Sequence, residues 1–255
     1  MTAAVTLVIP CYNEAQRLDS AAFLSLVDGI ADLSLVMVND GSSDATESVL
    51  KTLSAARPQR IGVLSLPVNQ GKAEAVRQGL LHALAASAEV VGYFDADLST
   101  PVSEIVRLVG VVRQSESAVV LGSRVSRLGS AIERSTFRHY VGRVFASAAS
   151  LLLHVRVYDT QCGAKLFRRT PALQAALADR FLSRWAFDVE LLGRLLTGTA
   201  TAPGLAVARF LEVPLLQWSE VPGSKLRTSA MVGALRDLFA IGLDLRRRRG
   251  AQTAL

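Results

Sequence analysis

Val90-Val91-Gly92-Tyr93-Phe94-Asp95-Ala96-Asp97-Leu98-Ser99-Thr100-Pro101 decides how the rest of the chain is read. Val90 to Phe94 is a short apolar run, rich in valine and aromatics, of the kind that becomes a buried strand. It stops at two carboxylates one residue apart, and Ser99-Thr100-Pro101 then signals a helix start. Carboxylates at i and i+2, held at a strand end, present hard oxygens to a divalent cation. Such a cation keeps several waters and binds substrate phosphates as well. A second reading makes Asp97 a cap for the helix opening near Pro101. Asp-x-Asp alone does not choose between them.

The chain has 255 residues, a length that suits one domain with a C-terminal appendage. Half of it is hydrophobic (50%), enough to bury a substantial core, so disorder is not the expectation. Its net charge of +6, from 28 Lys and Arg against 22 Asp and Glu, favours phosphates, nucleotides or an anionic membrane surface. Nucleic acid is disfavoured, because aromatics are sparse and no recognition module is visible. Cys11 and Cys162 are the two cysteines and lie far apart, which suits a reducing cytosol. His82, His139 and His154 lack metal-ligand spacing and read as structural or surface residues. Met1 to Ile9 lacks a basic start and its apolar run ends at Pro10, so no targeting segment is expected. The longest mostly apolar stretch, Phe145 to Leu153, falls short of the ~20 residues a spanning helix needs. The expected location is cytoplasmic, with peripheral contact to the inner face of the cell membrane.

Outward from the opening stretch, the same rhythm repeats. Strands are expected over Val5 to Ile9, Leu33 to Val38, Ile61 to Leu66, Val90 to Phe94 and Ala118 to Leu121. Helices are expected between them, to about Ile30, to about Ala56 with Ser43 or Asp44 as cap, and from Asn69-Gln70-Gly71-Lys72 through Ala86. The alternation predicts a doubly wound, mostly parallel α/β sheet. Ligands of such sheets bind outside the carboxyl ends of the strands. Asn13 and Glu14, Asp40, Asp95 and Asp97, and Arg124 all follow strand ends. Each has a plain reading as a turn former; together on one edge they suggest a site. No G-x-G-x-x-G follows the first strand and no P-loop pattern occurs, which argues against a dehydrogenase or a P-loop enzyme.

Past residue 125 the alternation stops. Arg124, Arg127, Arg134, Arg138 and Arg143 precede an apolar helix to about Val155, and Val157 to Phe167 reads as a loop returning to a short strand. Another helix begins at Trp185. Its Asp188 and Glu190 stand two apart, so only one of them can face the cleft. Phe210 to Trp218 reads as one strand. From Ser229 to Leu245 apolar residues recur at helical spacing (Met231, Val232, Leu235, Leu238, Phe239, Leu243), and Arg246 to Arg249 follow. Two readings stand for this segment. It lies in a lipid interface, with about 1 kcal/mol per basic residue from anionic head groups, or it packs on the domain's own core.

The assembled motifs resemble the family 2 glycosyltransferases of GT-A fold, and within them the polyprenyl-phosphate (dolichyl-phosphate) β-glucosyltransferase and mannosyltransferase branch. The resemblance runs from Val5 to about Lys225. It rests on Ile9-Pro10-Cys11-Tyr12-Asn13-Glu14, Val38-Asn39-Asp40-Gly41-Ser42-Ser43-Asp44, Asn69-Gln70-Gly71-Lys72, Asp95-Ala96-Asp97, Gly122-Ser123-Arg124, Asp159-Thr160-Gln161-Cys162-Gly163-Ala164-Lys165-Leu166-Phe167 and Phe187-Asp188-Val189-Glu190, in that order. It implies a catalytic domain over residues 1–228, with a C-terminal amphipathic helix and basic tail over 229–255.

The resemblance also implies roles. Pro10, Tyr12, Asn13, Glu14 and Asp40 surround the nucleoside, and Lys72 neighbours the nucleotide. Asp97 ligates Mg2+ or Mn2+ on the diphosphate, and Asp95, next to Ala96, lies beside the donor ribose or sugar. Arg124 and Lys225, with Ser224, contact phosphates, and Gln161 and Lys165 line the substrate. Asp188 takes the acceptor-side carboxylate position. Three features depart from relatives: Ser99 stands where mannosyl-transferring members carry Gln, Ala164 where Phe is common, and the Gln-x-x-Arg-Trp signature of processive members is absent. The implied activity is inverting transfer of a hexose from a nucleotide-diphosphate sugar, UDP-glucose first, to a polyprenyl phosphate. The alternatives are a soluble relative acting on a hydroxyl, and a non-catalytic nucleotide-sugar-binding module.

Overall fold

The computed structural model describes residues 4–133, 136–221 and 229–253. In chain order the elements are β1 (Val5–Cys11), α1 (Ser20–Gly29), β2 (Leu33–Asp40), α2 (Thr46–Ala56), β3 (Ile61–Leu66), α3 (Lys72–Ala85), β4 (Val90–Phe94), α4 (Val102–Gln114) and β5 (Val119–Ser123). They continue as β6 (Ala131–Glu133), α5 (Thr136–Leu153), β7 (Ala164–Arg168), α6 (Pro171–Ala178), α7 (Phe187–Thr197), β8 (Phe210–Pro214), β9 (Gln217–Ser219) and α8 (Ser229–Thr253). Seven strands form one sheet in the order β3-β2-β1-β4-β7-β5-β8. All run parallel except β7, which is inserted antiparallel between β4 and β5. A parallel β6–β9 pair stands apart.

The central strands β1, β2, β4 and β5 are mostly apolar because helices cover both faces of the sheet. Alternate residues of each strand divide between two cores. Leu7, Ile9, Val90, Phe94 and Leu166 pack with Phe23 and Leu26 of α1, Leu50 of α2 and Ile105 of α4. Val8, Val91, Tyr93 and Phe167 pack with Val76 of α3, Leu173 of α6, Leu192 of α7 and Ile241 of α8. Fully burying one such side chain contributes roughly 1.5–3 kcal/mol. Tyr93 and Lys165 are cross-strand partners on the second of these faces, the face that carries α7.

Local chemistry sets several boundaries. Asp19 Oδ1 accepts the Ala22 N–H and caps α1. Asp44 Oδ1 accepts the Thr46 N–H at 3.0 Å at the start of α2, although the cap position itself is Ala45. At α4 the cap position is Pro101 and no side chain caps it, which removes the capping role for Asp97. The expected strand from Phe210 to Trp218 is two strands instead. β8 ends at Pro214, and one further bond, from the Leu215 N–H to the Ser123 carbonyl at 2.8 Å, ties the chain to β5. Gln217–Ser219 turns aside to pair with β6.

The C-terminal segment also differs from expectation. Helix α8 runs through the four arginines to Thr253. Arginine is a good helix former, and Arg248 bonds Asp244 one turn back at 2.7 Å. Leu238, Ile241 and Leu245 are buried against the core, while Phe239 and Leu243 are exposed. Packing on the domain's own core therefore accounts for one face of α8 only. Among the described residues no helix is long and apolar enough to cross a membrane.

Candidate active site

Because β1, β2, β4 and β5 are parallel, their carboxyl ends meet on one edge, where Asp40 closes β2 and Asn13, Asp95, Asp97 and Arg124 follow the other three strands. Antiparallel β7 begins at that edge, so Lys165 joins them from the opposite chain direction.

Asp95 and Lys72 form an ion pair across the mouth of β4. Burial in the cleft works against the Lys72 ammonium, but Asp95, Asp188 and Asp97 outweigh it and raise its pKa. One ammonium therefore feels three carboxylates. Gly163 closes the other side of Asp95: a Cβ there would collide with the Asp95 carboxylate. Asp97 Oδ1 accepts the Ser99 N–H at 3.1 Å across a turn in which Leu98 adopts a left-handed φ of 53°. A non-glycine residue in that conformation costs roughly 1–2 kcal/mol, strain placed directly between the carboxylates and the start of α4.

Asp188, near the start of α7, is buried and accepts two bonds at one oxygen. Lys165 Nζ donates to Oδ1 at 2.6 Å, and the Tyr93 hydroxyl donates to the same atom. Lys165 is itself fully buried and also donates to the Cys162 carbonyl. Burial, followed by the neighbouring Asp188 carboxylate, pushes the Tyr93 hydroxyl well above its ordinary pKa, so Tyr93 stays a donor. Glu190 faces the other way, as helical spacing requires. It accepts the Leu182 and Ser183 N–H groups and pairs with Arg194 at 2.6 Å.

Arg124 forks onto Asp159, with Nε 2.6 Å and Nη2 2.8 Å from its two oxygens, and lies over the Trp218 ring. Burial disfavours the Asp159 carboxylate, yet Arg124 overrides it and holds its pKa below the ordinary range. Asp159 Oδ1 also accepts the Gln161 N–H. Around this pair, the buried Thr160 Oγ1 and Gln161 Nε2 have no partner among the described residues. Neutral donors left open beside a guanidinium suit an anion.

The first two strands supply a more structured corner. Asp40 is buried and accepts the Gln70 N–H (2.7 Å), the Gly71 N–H (2.8 Å) and Asn69 Nδ2. It thus fixes the turn that delivers Lys72. Gly41, at φ 60°, lies so close to Val68 and Asn69 that a Cβ would strike their backbone. Asn13, also left-handed, exchanges bonds with Ser42 and Ser43, and the Glu14 N–H bonds Thr46 Oγ1 at 2.8 Å. Glu14 pairs with Arg17. Pro10 lies within β1 opposite Val38, and Tyr12 follows it half-buried. Ala96 is buried between the two carboxylates. Ser224 and Lys225 lie outside the described residues.

The model of the glycosyl transferase family 2 domain matches residues 6–174. The chain is a family 2 glycosyltransferase. It is 34% identical over 257 residues to the dolichyl-phosphate β-glucosyltransferase of Drosophila melanogaster, covering 93% of this chain and 74% of the relative. A dolichyl-phosphate β-glucosyltransferase of Trichomonas vaginalis is 31% identical over 254 residues, 94% of this chain and 71% of its own. Among solved structures, glucosyl-3-phosphoglycerate synthase from Mycobacterium tuberculosis, in complex with Mn2+, UDP-glucose and glycerol 3-phosphate, superposes with a TM-score of 0.66 at 23% identity. That match covers 95% of this chain and 80% of the other and establishes the GT-A fold.

In this glycosyltransferase, several site residues were not visible in the sequence. Tyr93 reads as one more apolar strand residue, and Asp159 as part of a loop. Only the β4–β7 register brings Tyr93 and Lys165 together. Both thiols are buried; burial pushes Cys162 up to about 12, so it is not a nucleophile. Among the described residues no cluster of three or more His, Cys, Asp or Glu forms a closed metal cage. Asp97, with one carboxylate oxygen taken by the Ser99 N–H, and nearby Asp95 instead match a hard divalent cation that draws most of its ligands from water and substrate phosphates.

Proposed function

We propose that this glycosyltransferase moves glucose from UDP-glucose to a polyprenyl phosphate at the inner face of the cell membrane, with inversion at the anomeric carbon. The observation that carries the reading is Asp188, anchored through a single oxygen by Lys165 and Tyr93 in the same cleft as Asp95, Asp97 and Lys72.

Asp97, assisted by Asp95, would hold Mg2+ or Mn2+ together with the donor diphosphate, and the cation would neutralise charge on the leaving group. Lys72 reinforces that effect from the opposite wall. Pro10, Tyr12, Asn13 and Glu14 shape the nucleoside end, and Asp40 keeps the 69–71 turn in place behind it. The open donors around Arg124 receive phosphate oxygens.

A phosphomonoester has a second pKa near ~6, so the acceptor oxygen is already anionic at neutral pH. It attacks the anomeric carbon from the face opposite the diphosphate. The carbon–oxygen bond to the donor breaks, and its electron pair leaves on the β-phosphate oxygen. No proton has to be removed, so Asp188 orients the acceptor rather than deprotonating it. A hydroxyl acceptor would require a true general base.

The test is to incubate purified protein and Mn2+ with a panel of nucleotide sugars and a short polyprenyl phosphate, and read products by mass spectrometry. Glucosyl phosphopolyprenol and UDP are expected. Transfer only to sugar or small-molecule hydroxyls would replace this reading with that of a soluble relative.

A further inference from the structure

Helices α5 and α8 pack side by side over α7. A Cβ at Gly242 would meet Leu152 of α5, and one at Gly193 of α7 would meet both Leu245 and Leu153. These contacts fix which face of each helix turns towards the other. On α8, Phe239 and Leu243 lie just beyond Gly242 on the side of α5; on α5, Leu151 and Val144 lie just beyond Leu152 on the side of α8. All four border one seam, and all four are open: Val144 68%, Leu151 77%, Phe239 70% and Leu243 41% exposed.

This patch is not a leftover of poor packing, because Leu238, Ile241 and Leu245 already fill the core side of α8. Its border is basic. Arg236, Arg246 and Arg247 are exposed on the same outward side, whereas Arg248 turns away to Asp244 and Asp179. A contiguous apolar patch rimmed by cations marks an interaction surface. A symmetric second copy would bring two arginine rims together, an unfavourable like-charge contact. An anionic lipid surface answers both features, taking the apolar side chains below its head groups and the arginines among them.

We propose that the α5–α8 seam docks this enzyme on an anionic membrane, with Val144, Leu151, Phe239 and Leu243 entering the interface. The inference rests on the polyprenyl-phosphate reading for its purpose, not for its geometry. The seam connects to the acceptor end of the cleft: Phe145 of α5 meets Trp185 edge-to-face at 4.9 Å, and Trp185 leads into α7 and Asp188. Docking there would set Asp188 facing a phosphate held at the lipid surface.

Vesicle sedimentation tests this on the full chain. The wild type should bind phosphatidylcholine–phosphatidylglycerol vesicles, ignore pure phosphatidylcholine, and weaken as salt rises. The double substitution Leu151→Glu with Phe239→Glu should lower vesicle affinity by about tenfold or more. Arg246→Gln with Arg247→Gln should lower it by a smaller factor that salt abolishes. These positions are exposed, so melting curves should be unchanged, as should turnover of a water-soluble short-chain polyprenyl phosphate. Equal binding by the wild type and the Leu151/Phe239 variant would overturn the proposal. So would a wild type that ignores both vesicles and forms a dimer, by light scattering, that this variant splits. If vesicle binding behaves as stated but neither protein transfers glucose to the soluble acceptor, the docking surface stands and the proposed activity fails.

Discussion

Lys165 Nζ lies 2.6 Å from Asp188 Oδ1, and neither side chain is more than 6% exposed. A buried pair of this kind contributes little net stability beside an apolar pair, but removing one partner is severe. Lys165→Met should therefore cost about 3–5 kcal/mol in urea denaturation. Adding Asp188→Asn to it should recover much of that loss, since no unpaired charge then remains buried.

Tyr93 donates to the same carboxylate oxygen from the neighbouring strand. Tyr93→Phe keeps the ring packed against Phe167 and Phe187. It should cost only about 1 kcal/mol of stability. Turnover should fall by about tenfold, the scale of a lost positioning contact, with little change in the KM for UDP-glucose. A thermal melt and steady-state kinetics on the same preparation separate the two effects.

Asp95 gives a prediction through its neighbour. The nearest atoms a Cβ at Gly163 would meet are those of the Asp95 carboxylate. The carboxylate can swing away, but then it leaves Lys72. Gly163→Ala should raise the KM for UDP-glucose by about tenfold, while the melting temperature moves little.

Asp159 contributes to the response to acid. Its pKa is held below the ordinary carboxylate range by Arg124, against the opposing effect of burial. A depressed folded-state pKa contributes stability at neutral pH that is lost as pH falls below about 4. Wild-type melting temperature should thus decline between neutral pH and pH 3. The Asp159→Asn variant should start lower and show a shallower decline.

Much of this arrangement was legible in the residues. The parallel strands announced themselves as apolar runs ending in polar turns, because local pattern and burial coincide there. Asp188 and Glu190 separated onto different faces, as the helical period requires. Where pairing depends on distant chain, local pattern is silent. Nothing near Ala164–Arg168 says that it inserts antiparallel between β4 and β5, yet that insertion gives Lys165 and Tyr93 their shared carboxylate. Asp40 illustrates a subtler limit. Its position at the end of β2 is visible in the sequence, but its bonds to Asn69, Gln70 and Gly71 follow from tertiary closure. Likewise the periodicity of α8 marked an amphipathic helix, but which apolar residues face inward depends on where α5 and α7 lie.

The most direct test of the account is the rate of the Asp188→Asn variant with a short polyprenyl phosphate, measured across pH. If Asp188 only orients an acceptor that is already anionic, the variant should retain about a tenth to a hundredth of the wild-type rate. Both profiles should then rise through the acceptor's own ionisation near ~6 and level off. A loss of several orders of magnitude, with the rise in the wild-type profile assignable to Asp188 rather than to the acceptor, would contradict it and make Asp188 a general base for a hydroxyl.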